Sequence, residues 1–135
     1  MGRAPKFKLE EFFAALADRT RLRLLNLMRN GEVCVCFFAD TLGTNNPKIS
    51  RHLSYLKKVG LVQGRREGKW IHYSIRMPDD PAAALLLQSL LNTLDKDEQM
   101  KADKGVLERV CCAPRVGGSP KLVDIGRQND KPTAT

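Results

Sequence analysis

The 135-residue chain has no apolar run approaching the ~18 residues that a membrane-spanning helix needs. Its first residues, Met1-Gly2-Arg3-Ala4-Pro5, lack the apolar core of a secretory signal. These absences predict a protein that meets no membrane and works in the cytoplasm. There is no C-x-x-C pair, no phosphate-cradling P-loop and no G-x-G-x-x-G fingerprint, so the chain does not read as an enzyme and no organic cofactor is expected. Histidine is scarce as well: there are two in all and none in residues 80–103. In a reducing compartment the four cysteines, Cys34, Cys36, Cys111 and Cys112, read as thiols for metal or redox chemistry, not as a disulfide framework.

Charge is plentiful and unevenly placed. Residues 1–78 hold 15 Lys and Arg against 6 Asp and Glu, whereas residues 79–135 hold 8 against 9. The basic half is therefore the candidate for a polyanionic partner. A chain of this length forms one domain with a modest core, and small domains of this kind often complete their core by dimerising.

Apolar spacing of three and four residues predicts a first helix over Leu9–Leu16, carried by Leu9, Phe12, Phe13 and Leu16. Asp18 or Thr20 caps a second helix that runs through Arg29. A shorter third helix is expected from Cys34 to Leu42, closed by Gly43-Thr44-Asn45. Asn45 or Asn46 then caps a fourth, with Pro47 in its first turn, where a missing N–H costs little, and Gly60 at its end. Helix, tight turn and capped helix are the parts of a helix-turn-helix.

Stepped by about 100° per residue, the fourth helix sorts into two faces. Ile49, Leu53 and Leu56 share one, and Arg51, Ser54, Tyr55 and Lys58 lie opposite with Lys48 nearby. Two strands follow, over 61–66 and 70–76, joined by Glu67-Gly68-Lys69. A basic hairpin after such a helix is a wing, so the expected fold class is mainly α with a small β-hairpin, a winged helix-turn-helix. Residues 48–76 carry eight Lys or Arg against one Glu. Double-stranded DNA is the partner this arrangement predicts: Asn46, Lys48, Ser50 and Arg51 are the candidates for base edges, and Tyr55, Lys58, Arg65, Arg66 and Lys69 those for the phosphate backbone. His52, at the flank of the apolar stripe, and His72, on a wing strand, read as structural or surface residues.

The order Glu32-Val-Cys-Val-Cys, Pro47-Lys-Ile-Ser-Arg-His-Leu and Gly68-Lys-Trp-Ile-His-Tyr resembles the ArsR family of winged-helix metalloregulatory repressors, most closely its arsenic- and antimony-responsive members. The resemblance covers about residues 8–95. It implies a homodimer joined through the first and fifth helices, which represses a resistance operon and leaves its operator when As(III) or Sb(III) binds as inducer. The band Leu85, Leu86, Leu87, Leu90, Leu91 and Leu94 within 82–94 is wide enough to serve such an interface.

Two positions depart from the pattern. Where the best-known arsenic sensors carry an acidic residue and a third cysteine, this chain has Phe37 and Ala39. Three thiolates suit trivalent arsenic, and soft thiolates are the ligands such an ion selects. The candidate metal ligands are therefore Cys34 and Cys36, with Cys111 or Cys112 supplying the third sulfur, within one subunit or across a dimer. On a regular helix Cys34 and Cys36 point about 200° apart. The expectation is that the metalloid binds once the start of the third helix unwinds.

Three alternatives compete. A cadmium, lead or zinc sensor of the same fold could use all four thiols, although no cysteine precedes Cys34 and the histidine-poor stretch 80–103 does not suit a zinc site there. A thiol-redox repressor would respond to cysteine oxidation instead. An arsenate reductase needs an Arg six residues beyond its nucleophilic Cys, whereas those positions hold Asp40, Leu42, Gly117 and Gly118. The expected organisation is a DNA-binding and dimerisation domain over residues 1–104 and a flexible, cysteine-containing tail over 105–135.

Overall fold

The computed structural model describes residues 8–112, with Cys111 and Cys112 described in their backbone alone. Its elements are α1 (Leu9–Leu16), α2 (Arg19–Leu27), β1 (Val33–Cys34), α3 (Val35–Leu42), α4 (Asn46–Val59), β2 (Val62–Glu67), β3 (Trp70–Ile75), α5 (Pro81–Leu94) and α6 (Glu98–Cys112). The helix starts follow from their caps. Asp18 accepts a hydrogen bond from the Arg21 N–H at 3.0 Å and Asn45 one from the Lys48 N–H at 3.0 Å, while Asp80 caps α5 ahead of Pro81. Gly43 (φ 70°) and Gly60 (φ 94°) end α3 and α4 in the left-handed conformation that glycine adopts without strain.

The turn between α3 and α4 and the hairpin after α4 make this a winged helix-turn-helix. Ile49, Leu53 and Leu56 are all buried, as the two-faced reading of α4 requires, and they join Phe12, Leu24, Leu25, Phe37 and Phe38 in the core. The sheet is larger than a lone hairpin. Its order is β1-β3-β2, all antiparallel, and the segment before α3 forms its third strand through the pairs Val33↔Tyr73 and Cys34↔His72. Periodicity did not reveal β1, because two residues are too few to show alternation.

The N-terminal stripe divides. Phe12 is buried, but Leu9 and Phe13 are 51% and 49% exposed, and on α5 Leu85 and Leu86 are 69% and 42% exposed while Leu87, Leu91 and Leu94 are buried. No helix among the described residues is long and apolar enough to cross a membrane.

Helix α6 runs past the expected boundary at residue 104 and ends at Cys112; residues 113–135 lie outside the described residues. Its apolar stripe is thin, Met100, Leu107 and Val110, but it packs against both α2 and α3. Arginines of α2 and its C-terminal turn secure the segment. Arg19 binds Asp97 and Gln99, Arg29 binds Asp95, and Arg23 binds Asp103 through two bonds of 2.7 and 2.9 Å. Asp103 is only 4% exposed, and its hydrogen bonds raise the pKa of Arg23. Arg23→Ala leaves that carboxylate buried and unpaired, and is expected to lower stability by about 3 kcal/mol. Urea unfolding checks this, with Arg23→Met combined with Asp103→Leu recovering most of the loss.

Candidate effector and DNA-binding sites

Cys34 is the last residue of β1 and also the residue that precedes α3. Its φ and ψ of −68° and 140° are extended, whereas Cys36 lies in the first turn of α3. This mixed backbone turns the two thiols toward each other: the Cys36 Sγ donates to the Cys34 Sγ at 3.2 Å. The expectation that the helix must unwind before both sulfurs reach one ion is therefore corrected. The 200° separation applies to two helical residues, and Cys34 is not one. Cys34 is buried and Cys36 partly exposed, so the pair opens to solvent on the Cys36 side.

Metal–sulfur bonds of about 2.3 Å hold two sulfurs about 3.3 Å apart at a right angle and about 3.8 Å apart at the tetrahedral angle. The pair already stands at the narrower spacing. Phe37 is fully buried in the core and offers no donor, and among the described residues no group of three His, Cys, Asp or Glu is arranged to hold a metal ion. The side chains of Cys111 and Cys112 lie outside the described residues, although their backbone ends the helix that packs on α3.

The position of this pair matters more than its chemistry alone. On one side β1 is hydrogen-bonded to β3 of the wing, and on the other α3 leads through a tight turn into α4. Residues 34–36 are thereby joined to both elements that present cations.

On α4, Asn46, Lys48, Ser50, Arg51 and Lys58 are exposed. Tyr55 is half-buried beneath the Arg21 guanidinium, 4.2 Å from its ring centroid. Arg21 also donates to the Ala15 and Ala14 carbonyls and lies 3.3 Å from His52 Nδ1, so it fastens the end of α1 to α4, the candidate DNA-reading helix. On the wing Arg66 and Lys69 are exposed, with Lys69 5.7 Å from the Trp70 ring centroid. Arg65 is engaged by two carboxylates. Its Nε and Nη2 each donate to Glu32 at 2.8 Å, and Nη2 lies 3.2 Å from Glu67 Oε1. Those bonds hold the Glu32 carboxyl below the usual range. Sequence reasoning did not find this pairing, because its partners are 33 residues apart and nothing local marks them.

Residues 18–63 match the family model described as bacterial regulatory protein, arsR family. The chain is 34% identical over 113 residues to the arsenic resistance transcriptional regulator ArsR2 of Pseudomonas putida, an alignment that covers 76% of this chain and 96% of that one. The chain belongs to the ArsR family. That family is one of DNA-binding transcriptional regulators, not of enzymes. The chain is also 45% identical over 75 residues to the arsenical resistance operon repressor of Escherichia coli, covering 55% of this chain and 63% of that one, so the match spans just under two thirds of that relative. The solved structure of the transcriptional repressor BigR from Xylella fastidiosa superposes with a TM-score of 0.57 at 27% identity, over 67% of this chain and 86% of that one. Family members respond to different ions: the relatives include a probable mercury resistance operon repressor from Streptomyces lividans at 43% identity and a cadmium resistance regulator from Lactococcus lactis at 36%.

Proposed function

We propose that this ArsR-family regulator is a homodimeric repressor of an arsenic-resistance operon, and that As(III) or Sb(III) releases it by binding Cys34, Cys36 and a third sulfur from Cys111 or Cys112. The observation that carries the reading is the 3.2 Å thiol pair at the joint between wing and reading helix. Its spacing suits the narrow bond angles of a pyramidal trivalent metalloid better than the wider angle of a tetrahedral zinc or cadmium centre.

A ligand that binds two poses equally shifts nothing. Because Cys34 and Cys36 are already together, closing two bonds to them changes little. The differential affinity comes from recruiting the third sulfur, which ties residues 34–36 to the end of α6 and alters how α3 and β1 sit. Asn46, Lys48, Ser50 and Arg51 are the proposed base contacts, and Tyr55, Lys58, Arg66 and Lys69 the proposed backbone contacts, with Arg65 at the wing beside them. Leu9 and Phe13 of α1 and Leu85 and Leu86 of α5 supply apolar surface for a second copy, and both helices pack on α2.

The test is fluorescence anisotropy of labelled operator DNA titrated with arsenite, antimonite, Cd(II), Pb(II), Zn(II) and hydrogen peroxide. Arsenite and antimonite are expected to release the protein at lower concentrations than the divalent ions, with peroxide ineffective under reducing conditions. Release by Cd(II) or Pb(II) at lower concentration than arsenite would assign the site to a divalent ion.

A further inference from the structure

Glu32 and Arg65 stand at opposite edges of the sheet. Glu32 precedes β1 by one residue and Cys34 by two, Arg65 lies in β2, and β3 runs between them. The two-bond fork from Arg65 to Glu32 therefore crosses the central strand. His72 of β3 is paired with Cys34 on one side and with Arg65 on the other, and directly opposed residues share a face, so the three side chains lie on one surface of the sheet. His72 is 2% exposed, its Nε2 has no hydrogen-bond partner, and that atom is 3.5 Å from Glu67 Oε1, the oxygen that also meets Arg65. A line of side chains thus leads from the thiol segment across the sheet to the outer strand of the wing.

We propose that the Glu32–Arg65 pair is a strap in which Glu32 positions Arg65, and with it β2, so that displacement of Cys34 by the effector is passed to the wing. The proposal rests on the thiolate reading above. Backbone pairing of β1 reaches only β3, the adjacent strand, whereas the strap reaches past it to β2. A fork that commits Nε and Nη2 to carboxylates also holds Arg65 in one orientation, which a lysine could not do.

The test compares the wild-type protein with Glu32→Gln, Arg65→Gln and the double variant. Three quantities are read: arsenite uptake by thiolate-to-arsenic charge-transfer absorption, operator Kd with and without arsenite, and the salt dependence of the arsenite-free Kd. Each single variant is expected to take up arsenite normally, and Glu32→Gln to keep the wild-type salt slope. Each loses about threefold of the arsenite-induced change in Kd, the scale of one exposed ion pair. The double variant loses no more than either single one, since both cut the same connection. An arsenite-induced change equal to wild type in both singles, or losses that add in the double variant, overturns the strap. So does tighter binding with a steeper slope in Glu32→Gln, because Glu32 would then mask Arg65 from a phosphate instead of positioning it. Failure of the wild-type protein to take up arsenite removes the thiolate reading and the strap with it, while normal uptake with unchanged coupling removes the strap alone.

Discussion

Replacing Cys34 and Cys36 by serine is expected to abolish arsenite-induced release while leaving operator affinity within about twofold of wild type. Serine keeps the shape of the side chain and removes the soft ligand, and coupling between an effector and a second site is typically worth about 5- to 150-fold in affinity. That whole factor is lost if the pair is the site. Cys34 is fully buried, so a hydroxyl there costs about 1–3 kcal/mol in stability unless it finds a partner. Cys36→Ser alone, at the half-buried position, is therefore the cleaner variant, and melting curves check that either protein is folded. Anisotropy titration decides the matter: normal release by the double-serine protein would refute the role.

The same series locates the third sulfur. Because two thiols already stand 3.2 Å apart, an organic arsenical with two replaceable ligands needs nothing from α6. In Cys111→Ser combined with Cys112→Ser, phenylarsine oxide is expected to bind as in wild type, whereas arsenite binds with two sulfurs by X-ray absorption and no longer releases DNA. An unchanged three-sulfur shell would exclude Cys111 and Cys112. The contrast separates holding the metalloid from being moved by it.

What the sequence disclosed and what it hid follow the range of the physics involved. Asn45, Pro47 and Gly60 act on their own turn, so the start and end of the reading helix were legible, as was the burial of Ile49, Leu53 and Leu56. Cys34 was misjudged because a helical periodicity was carried one residue too far: it pairs with His72 in a strand and only then enters α3. The sixth helix escaped notice because Met100, Leu107 and Val110 are spread among charged residues and Gly105, and arginines 78 to 80 residues away help to hold it in place. A signal was present in the spacing of those three apolar residues by three and seven. Charge alone makes Arg65 a candidate for phosphate. Its bond to Glu32 exists only after the sheet forms, and no local pattern contains it.

Leu85→Asp is expected to convert a dimer to a monomer and to weaken operator binding by about 10²- to 10⁴-fold, the contribution of linking two half-site contacts. The residue is 69% exposed in the protomer, so the change removes nothing from the core and leaves the fold of the single chain intact. Leu9, Phe13 and Leu86 are also exposed by 42–51%, which is unusual for four large apolar residues on helices that pack on one common neighbour. A charge placed among them meets its own symmetry mate across a two-fold axis, and like charges brought together in a desolvated patch oppose association. Phe13→Asp on α1 is expected to act in the same direction, since an isologous interface uses one patch twice. Sedimentation velocity gives the oligomeric state and anisotropy gives the affinity, with a half-site duplex as the control. Binding to the half-site should change by less than a few-fold, because the cations of α4 and the wing are untouched. A Leu85→Asp protein that remains dimeric and binds full-length operator normally would place the interface elsewhere, and the exposed leucines of α5 would need another partner.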